Sequence, residues 1–347
     1  METQRQDTAP RTVEELEVRL SQPSERAVEV VRELDGHLMV LGVGGKMGPT
    51  LARMAVRAGE QAGRAWRVIG VSRFSDRSLP ERLASWGVEP LTCDLLDAAA
   101  VADLPDVPNV IFMSGMKFGA SRNPSLTWAL NCYSPALVCR KFSASRIVAF
   151  SSGNVYGMVP ATSSGSRETD PPEPVGEYSM TVLGRERIFE YFCQQQQTPT
   201  ALLRLNYATE MRYGVLVDIG RQVWAGQPVD ISIPAVNVIW QAEANAMALA
   251  ALARTEVPAR VINVAGPEIV SVRQIAERFG ELFERPVRFA GKETRHAYLN
   301  DGRHGQECLG AIRVSVDQMI RWTADWVARG GASLDKPTHF QVTDGTY

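Results

Sequence analysis

Leu38-Met39-Val40-Leu41-Gly42-Val43-Gly44-Gly45-Lys46-Met47-Gly48-Pro49-Thr50-Leu51-Ala52 runs from an apolar stretch through a glycine turn into a helix start. Gly42, Gly45 and Gly48 fit G-x-x-G-x-x-G, a spacing that lets backbone N–H groups approach a pyrophosphate at a helix N-terminus. Glycines also make ordinary turns, so the triplet gains its weight from the strand before it and the helix after it. Two hydroxyls are the other groups of chemical interest. Ser152 lies in Ser151-Ser152-Gly153-Asn154-Val155-Tyr156-Gly157, and Tyr178, 26 residues later, lies in Glu177-Tyr178-Ser179-Met180-Thr181-Val182. Read alone, the first is a Ser capping a strand end and the second an amphipathic aromatic at a helix start.

Together these segments resemble the extended short-chain dehydrogenase/reductase family, the NAD-dependent epimerase/dehydratase group, over most of residues 38–310. The resemblance implies that Ser152 hydrogen-bonds a substrate oxygen and that Tyr178 acts as acid/base on the hydroxyl or carbonyl undergoing hydride transfer. It further implies that Gly42, Gly45, Lys46, Met47 and Gly48 line the cofactor phosphates and that Asp94-Leu95 lies at the adenine. Phe112-Met113-Ser114-Gly115-Met116-Lys117 is similar to the fourth-strand end of UDP-galactose epimerases, which places Ser114, Gly115 and Lys117 near the cofactor. Asn123-Pro124, Trp128 and Asn131 match the following helix, with Asn131 otherwise read as a buried, helix-distorting amide. Ile262-Asn263-Val264-Ala265-Gly266 through Ser271-Val272 resembles a second-lobe strand and helix start.

One member of the expected constellation is missing. The family carries Lys four residues after the Tyr, and this chain has Val182. A Lys there shares a helix face with the Tyr, where its ammonium favours tyrosinate. An unassisted phenol has a pKa near 10, so about one part in a thousand is ionised at pH 7, a cost of about 4 kcal/mol in available base. Lys occurs only at Lys46, Lys117, Lys141, Lys292 and Lys336, none of them between 141 and 292. Lys117 is the substitute cation nearest the cofactor by resemblance. Arg185 is two turns from Tyr178, but the family match puts it on a surface-directed position. Arg204-Leu205-Asn206-Tyr207-Ala208-Thr209-Glu210 also departs from the family's Y-G-P after the Asn, and Tyr207 and Glu210 read more readily as a surface loop than as alternative acid/base groups.

An NAD-specific site would show an acid after the second strand, where this chain reads Val71-Ser72-Arg73. Arg73 is suited to pairing with a ribose 2′-phosphate, with Lys46 adding charge nearby, so the expected cofactor is NAD(P), NADP slightly favoured. Arg212, Arg221, Arg295 and Arg303 are candidates for a substrate phosphate or carboxylate, and each reads equally well as a solvated cation.

The scaffold that must position these groups is legible in the texture of the chain. With 347 residues, 45% hydrophobic and 22% charged, there is ample material for a core. Short apolar runs at Leu38–Leu41, Val68–Val71, Val110–Met113, Ile147–Ser151 and Leu202–Leu205 alternate with amphipathic stretches, predicting an α/β, Rossmann-like doubly wound parallel sheet with a smaller C-terminal substrate lobe. The expected organisation is a helical extension over 1–36, a dinucleotide-binding domain over 37–210 and a mainly substrate lobe over 211–347, with 240–254 returning to the first lobe. Pro160 to Pro174 is expected to be a loop over the site. A net charge of −2 gives no electrostatic footprint for nucleic acid or an anionic membrane. Five scattered cysteines suggest a reducing cytoplasm, four histidines make a metal site improbable, and no apolar run reaches the roughly 20 residues of a membrane span. The expected partner is a small carbohydrate-like molecule, with a homodimer through the helices of Asn131 and Tyr178 by family habit. The function expected is an NAD(P)-dependent oxidoreductase or epimerase/dehydratase acting on a sugar, sugar acid or sugar nucleotide. The alternative is a dinucleotide-binding regulatory protein that has lost turnover.

Overall fold

Leu38–Leu41 (β1) has no solvent-exposed residue, and its side chains divide by period two. Leu38 and Val40 enter one core, while Met39 and Leu41 enter the core on the opposite face. A strand buried on both faces belongs in the middle of a parallel sheet covered by helices. In the computed structural model, which describes residues 8–346, that is where β1 lies. Its companions are Val68–Ser72 (β2), Val88–Thr92 (β3), Asn109–Phe112 (β4), Arg146–Ser152 (β5), Thr200–Leu205 (β6) and Arg260–Val264 (β7). The order is β7-β6-β5-β4-β1-β2-β3, with every neighbouring pair parallel. The chain runs from β1 outward to β2 and β3, then recrosses to β4. The gap between the carboxyl ends of β1 and β4 is therefore the topological switch point, where such sheets place their ligands.

The strands agree with the sequence reading to within two residues, except that Arg260–Val264 is not a second-lobe strand. It is an edge strand of the main sheet, in register with β6 from Arg260↔Ala201 to Val264↔Leu205. Ile262 and Val264 are buried with the sheet core, and the side chain of Asn263 is held by main-chain carbonyls of Ser166 and Asp301.

The helical stretch at 11–35 is two helices, Val13–Leu20 (α1) and Glu25–Glu33 (α2). Pro23 and the capping hydroxyl of Ser24, which accepts from the Ala27 amide, end one and begin the other. Gly48–Gln61 (α3) follows the glycine turn. Gln241–Ala250 (α10) lies against α2 and α3 and fixes the start of α3, since Gln241 and Asn245 both donate to Thr50 Oγ1.

Between these come Leu79–Ser85 (α4), Ala98–Ala102 (α5), Pro124–Trp128 (α6), Ser134–Lys141 (α7), the long Gly176–Gln196 (α8) and Val215–Trp224 (α9). Residues Ala129–Tyr133 form a π-helical turn between α6 and α7. After β7 the chain forms Val272–Phe283 (α11), Arg303–Leu309 (α12) and Val316–Ala328 (α13). Helices α9, α11 and α13 pack on one another.

The segment from Pro160 to Pro174 contains no helix. Val159–Pro160 pairs antiparallel with His296–Ala297, and Ser166 exchanges backbone bonds with Leu299 and Asp301. The segment then returns to Val155 through the Glu173 amide, close in sequence to Ser152. Among the described residues, no helix is long and apolar enough to cross a membrane.

Candidate active site

The glycine turn is shaped by contacts that no side chain would allow. Gly42 has φ +90°, and a Cβ there would stand 2.6 Å from the Ser114 amide nitrogen. The turn after β1 therefore touches the end of β4 across the switch point. A Cβ on Gly48 would meet the Val43 carbonyl oxygen at 2.3 Å, which seats the helix start against the strand. Gly44 and Gly45 are exposed, although a Cβ on Gly44 would stand 2.6 Å from Ser72 Oγ. No side chain caps α3, because its N-cap is Met47, so first-turn amides and the positive end of the helix dipole remain for an anion. A cradle of bare amides with an open outer face fits a dinucleotide pyrophosphate.

At the ends of β2 and β3, Arg73 and Asp94 form a loose pair, N to O 3.9 Å, with side chains 64% and 44% exposed. One Asp94 oxygen accepts from the Leu96 amide, and Leu95 is buried in the sheet core. Lys46 does not join them as the sequence reading expects. Its Nζ lies 2.9 Å from the centroid of the Tyr213 ring and 5.3 Å from that of Phe118, turned toward the second lobe. Burial drives this ammonium down to about 6, with repulsion from Lys117 and Lys336 adding to the effect.

Ser152 closes β5, and its hydroxyl accepts from the Asn154 amide at 3.2 Å and donates to Asn154 Oδ1 at 3.0 Å. It thus caps the short 3₁₀ turn Gly153–Val155. Tyr178, in the first turn of α8, packs with Val155, Tyr156 and Val182, so the two hydroxyl-bearing segments adjoin. Val182 has no exposed surface. The space that the family Lys would occupy is filled by this apolar packing, and a lysine there would meet overpacking as well as desolvation. The cation placed near Tyr178 instead is Lys117, with Nζ 5.7 Å from the ring centroid. Burial lowers Lys117 to about 8.

Two residues that read as surface groups are buried. Arg185 donates to the Phe150 carbonyl (2.8 Å), to Asn131 Oδ1 (2.7 Å) and to the Asn131 carbonyl (3.4 Å). Asn131, in the π-helical turn, accepts from the Met116 amide and donates to the Met116 carbonyl and Thr181 Oγ1. It thereby pins the Ser114–Lys117 segment to α8. Glu210 is bound by Arg212, which also reaches Glu17 of α1. Burial raises the Glu210 carboxyl above its usual range, with Arg212 opposing the shift. The other candidate arginines are committed elsewhere: Arg221 to Asp335 and Arg303 to Asp301, while Arg295 is exposed.

The sequence reading also misses a buried network behind the site. Ser151 donates to Glu186 Oε1, and Glu186 forms a two-pronged ion pair with Arg204 at 2.9 and 2.7 Å. Arg204 donates to the Tyr156 hydroxyl, which donates to Asn263 Oδ1. Burial pushes the Tyr156 phenol up to about 12, so it remains a donor. The only sequence signal for this network is an acid and a base at interior positions of otherwise apolar elements.

The carboxyl-terminal tail runs across this region. Asp218 of α9 accepts from the Thr338 amide (2.8 Å) and hydroxyl (2.6 Å), and the Thr338 carbonyl accepts from Lys117 Nζ at 3.5 Å. Gly345, φ +74°, lies against Gly176, and a Cβ on it would stand 2.4 Å from the Val175 carbonyl oxygen. Gly345→Val is therefore expected to lift the tail from the start of α8, read as faster amide exchange over 338–346 with the core helices unchanged. Unchanged exchange there would show that the contact does not hold the tail.

Residues 38–208 match the model of the NAD dependent epimerase/dehydratase family. None of the curated proteins matches the chain. Among solved structures, the fold is similar to MoeE5 in complex with UDP-glucose and NAD, at 20% identity and TM-score 0.67, covering 85% of this chain and 99% of that one. It is also similar to the Thermus thermophilus UDP-glucose 4-epimerase in complex with NAD, at 18% identity and TM-score 0.67, covering 83% and 98%. The UDP-glucose 4-epimerase of Thermotoga maritima with UDP-glucose gives 16% identity and TM-score 0.69, covering 85% and 99%.

Proposed function

Starting from a chain whose residues 38–208 belong to the NAD dependent epimerase/dehydratase family, we propose that it is an NAD(P)-dependent epimerase/dehydratase or oxidoreductase acting on a sugar nucleotide. The reading is supported by Tyr178, which packs with Val155 and Tyr156 just after Ser152 and has Lys117 Nζ 5.7 Å from its ring centroid, and by the bare glycine turn after β1. When bound, the dinucleotide supplies a hydride acceptor and donor. The amides of Gly42–Gly48 and the start of α3 would hold its phosphates, and Arg73 and Asp94 would meet its adenosine half. Tyr178 takes the proton of the substrate hydroxyl as that carbon becomes a carbonyl and returns a proton in the reverse step, while Ser152 hydrogen-bonds the same oxygen. Lys117, beside the Tyr178 ring, favours the phenolate as long as the amine is charged. The sugar-nucleotide class is supported by the complexes named for the similar structures, one holding UDP-glucose and NAD and another UDP-glucose.

The test is label transfer. UDP-glucose, UDP-glucuronic acid and free sugars carrying deuterium at the carbinol carbons are incubated with NAD+ or NADP+, and dinucleotide and product are read by mass spectrometry. Deuterium is expected in the reduced dinucleotide or in an epimeric or dehydrated product of a nucleotide-linked sugar. Buried, apolar Val182 favours a second reading, a binding protein without turnover. Tight dinucleotide binding with no transfer from any substrate would establish that reading instead.

For the cofactor we propose a preference for NADP(H), supported by exposed Arg73 and by the absence of an acid after β2. Arg73→Ala is expected to weaken NADP(H) binding by about tenfold or more, the loss of a charge-assisted contact, with NAD(H) little changed. Calorimetric titration with both cofactors checks this, and tighter NAD(H) binding unaffected by the substitution would refute it.

A further inference from the structure

We propose that residues 333–346, after α13, form a closing strap over the substrate side of the site, and that a substrate reaches Tyr178 and Lys117 only when the latch between Thr338 and Asp218 opens. The proposal rests on reading Tyr178 as the centre of the site and adds how access to it is controlled.

The strap is fixed at points drawn from separate parts of the fold. At its start the Leu334 amide donates to the Arg212 carbonyl, and Arg221 of α9 holds Ser333 and Asp335. One turn earlier on α9, Asp218 takes both the amide and the hydroxyl of Thr338, two bonds to one carboxylate. Lys117, beyond the end of β4, donates to the Thr338 carbonyl, and the same ammonium stands over the Tyr178 ring. Tyr298 donates to the Thr343 carbonyl, and Gly345 meets Gly176, two residues ahead of Tyr178. The strap therefore ties α9 to the start of α8, and a single ammonium links its middle to Tyr178.

Its residues divide into an inner and an outer face. Asp335, Lys336 and Pro337 are exposed, whereas Thr338 and Phe340, two apart, are buried, Phe340 in the main core. Residues 331–346 contain no helix or strand, so the strap is held by these few contacts and not by a ladder of backbone bonds. Asp335 and His339, on either side of the latch, have φ of +48° and +54°, left-handed values that strain a residue with a Cβ. At the root, Gly330 has φ +67° and nothing within 4 Å of its Cβ position, a point about which the chain is free to turn.

The dinucleotide side is left uncovered. Gly44 and Gly45 are exposed in the glycine turn, and Arg73 and Asp94 are exposed at the ends of β2 and β3. The contacts of the strap fall instead on α9, Lys117, Tyr298 and the start of α8. A lid placed in this way governs the entry of substrate and leaves the cofactor free to bind.

The latch can be made covalent and reversible. Asp218 Oδ2 and Thr338 Oγ1 are 2.6 Å apart, so cysteines at the two positions bring their thiols within reach of each other. The full chain carrying Asp218→Cys with Thr338→Cys is compared in its oxidised and reduced forms, with the bridge verified by mass spectrometry. Both forms lack Asp218, so its charge does not enter the comparison. The first readout needs no substrate: acetylation of Lys117 by acetic anhydride, with exposed Lys292 as internal standard. Lys117 is expected to react at least about tenfold more slowly in the oxidised form, since only the open fraction presents its amine. The second readout is calorimetric titration with NADP+ and with UDP-glucose. Dinucleotide affinity is expected to stay within about twofold, and UDP-glucose to bind at least about tenfold more weakly in the oxidised form, because apparent affinity scales with the competent fraction.

Thr338→Pro needs no bridge and is the second variant. It offers Asp218 neither an amide hydrogen nor a hydroxyl, and is expected to acetylate at Lys117 about threefold faster than the parent or more. Equal acetylation of Lys117 in the oxidised and reduced forms, or no gain in Thr338→Pro, would overturn the proposal. UDP-glucose binding of equal strength in the two forms would overturn it as well. Gated acetylation with no UDP-glucose binding in either form would refute the sugar-nucleotide reading and keep the strap.

Discussion

Tyr178→Phe is expected to lower turnover by about 10²- to 10⁴-fold, the usual worth of a positioned general acid/base, while dinucleotide affinity stays within about twofold of the parent. The phenol ring contributes to the packing with Val155, Tyr156 and Val182, and phenylalanine preserves that surface. The variant therefore removes one hydroxyl and little else. Measurement of kcat and of the dinucleotide Kd on the same preparation separates the two effects. A variant with parental kcat would remove Tyr178 from the chemistry altogether, and a large loss of cofactor affinity would assign the hydroxyl to binding.

Glu186→Gln is expected to have the largest effect on stability. Glu186 and Arg204 are almost wholly buried and hold each other by two hydrogen bonds, with Ser151 as a further donor to the carboxylate. Burial opposes the charge on Arg204, and Glu186 and Tyr156 together outweigh it, raising the guanidinium above its ordinary value. Removing the carboxylate charge leaves that guanidinium uncompensated between β5, β6 and α8. A loss of about 3–5 kcal/mol follows from breaking one side of a buried ion pair, or about 4–7 °C in Tm for a chain of this size. Replacing both residues together, as Glu186→Leu with Arg204→Met, is expected to cost less than Glu186→Gln alone. If the double replacement costs more, the pair adds net stability of its own.

The sheet is readable from sequence because its central strands are uniformly apolar and bounded by turns, and the glycine turn because its spacing and flanks occur together. The fate of charged residues is less readable. An arginine at position 185, inside a long helix of mixed polar and apolar residues, is a solvated cation by ordinary expectation. Only the tertiary facts show otherwise: a glycine over it, a π-helical turn presenting Asn131 to it, and a strand carbonyl beneath it. Glu210 follows the same logic, since its partner Arg212 is two residues away but is also held by Glu17 of α1, nearly two hundred residues earlier in the chain. Arg260–Val264 carries a strand pattern, and nothing in five residues says which sheet receives it. Lys46 sits in the expected loop but turns the other way, because a loop position does not determine the direction of a four-carbon side chain. The tail after α13 has neither periodicity nor motif, so its course past Lys117 and Gly176 has no local signature at all.

That course has a practical bearing on how the protein is handled. Gly345 rests on Gly176, two residues ahead of Tyr178, so the segment after α13 is berthed beside the candidate site. Bulk introduced at Gly345 would crowd the start of α8 and strain the path back to the Thr338 link with Lys117. Kinetic constants from such a variant would describe a rearranged segment as well as the substituted side chain. Residues 338–346 are therefore to be left unaltered in every measurement of turnover above.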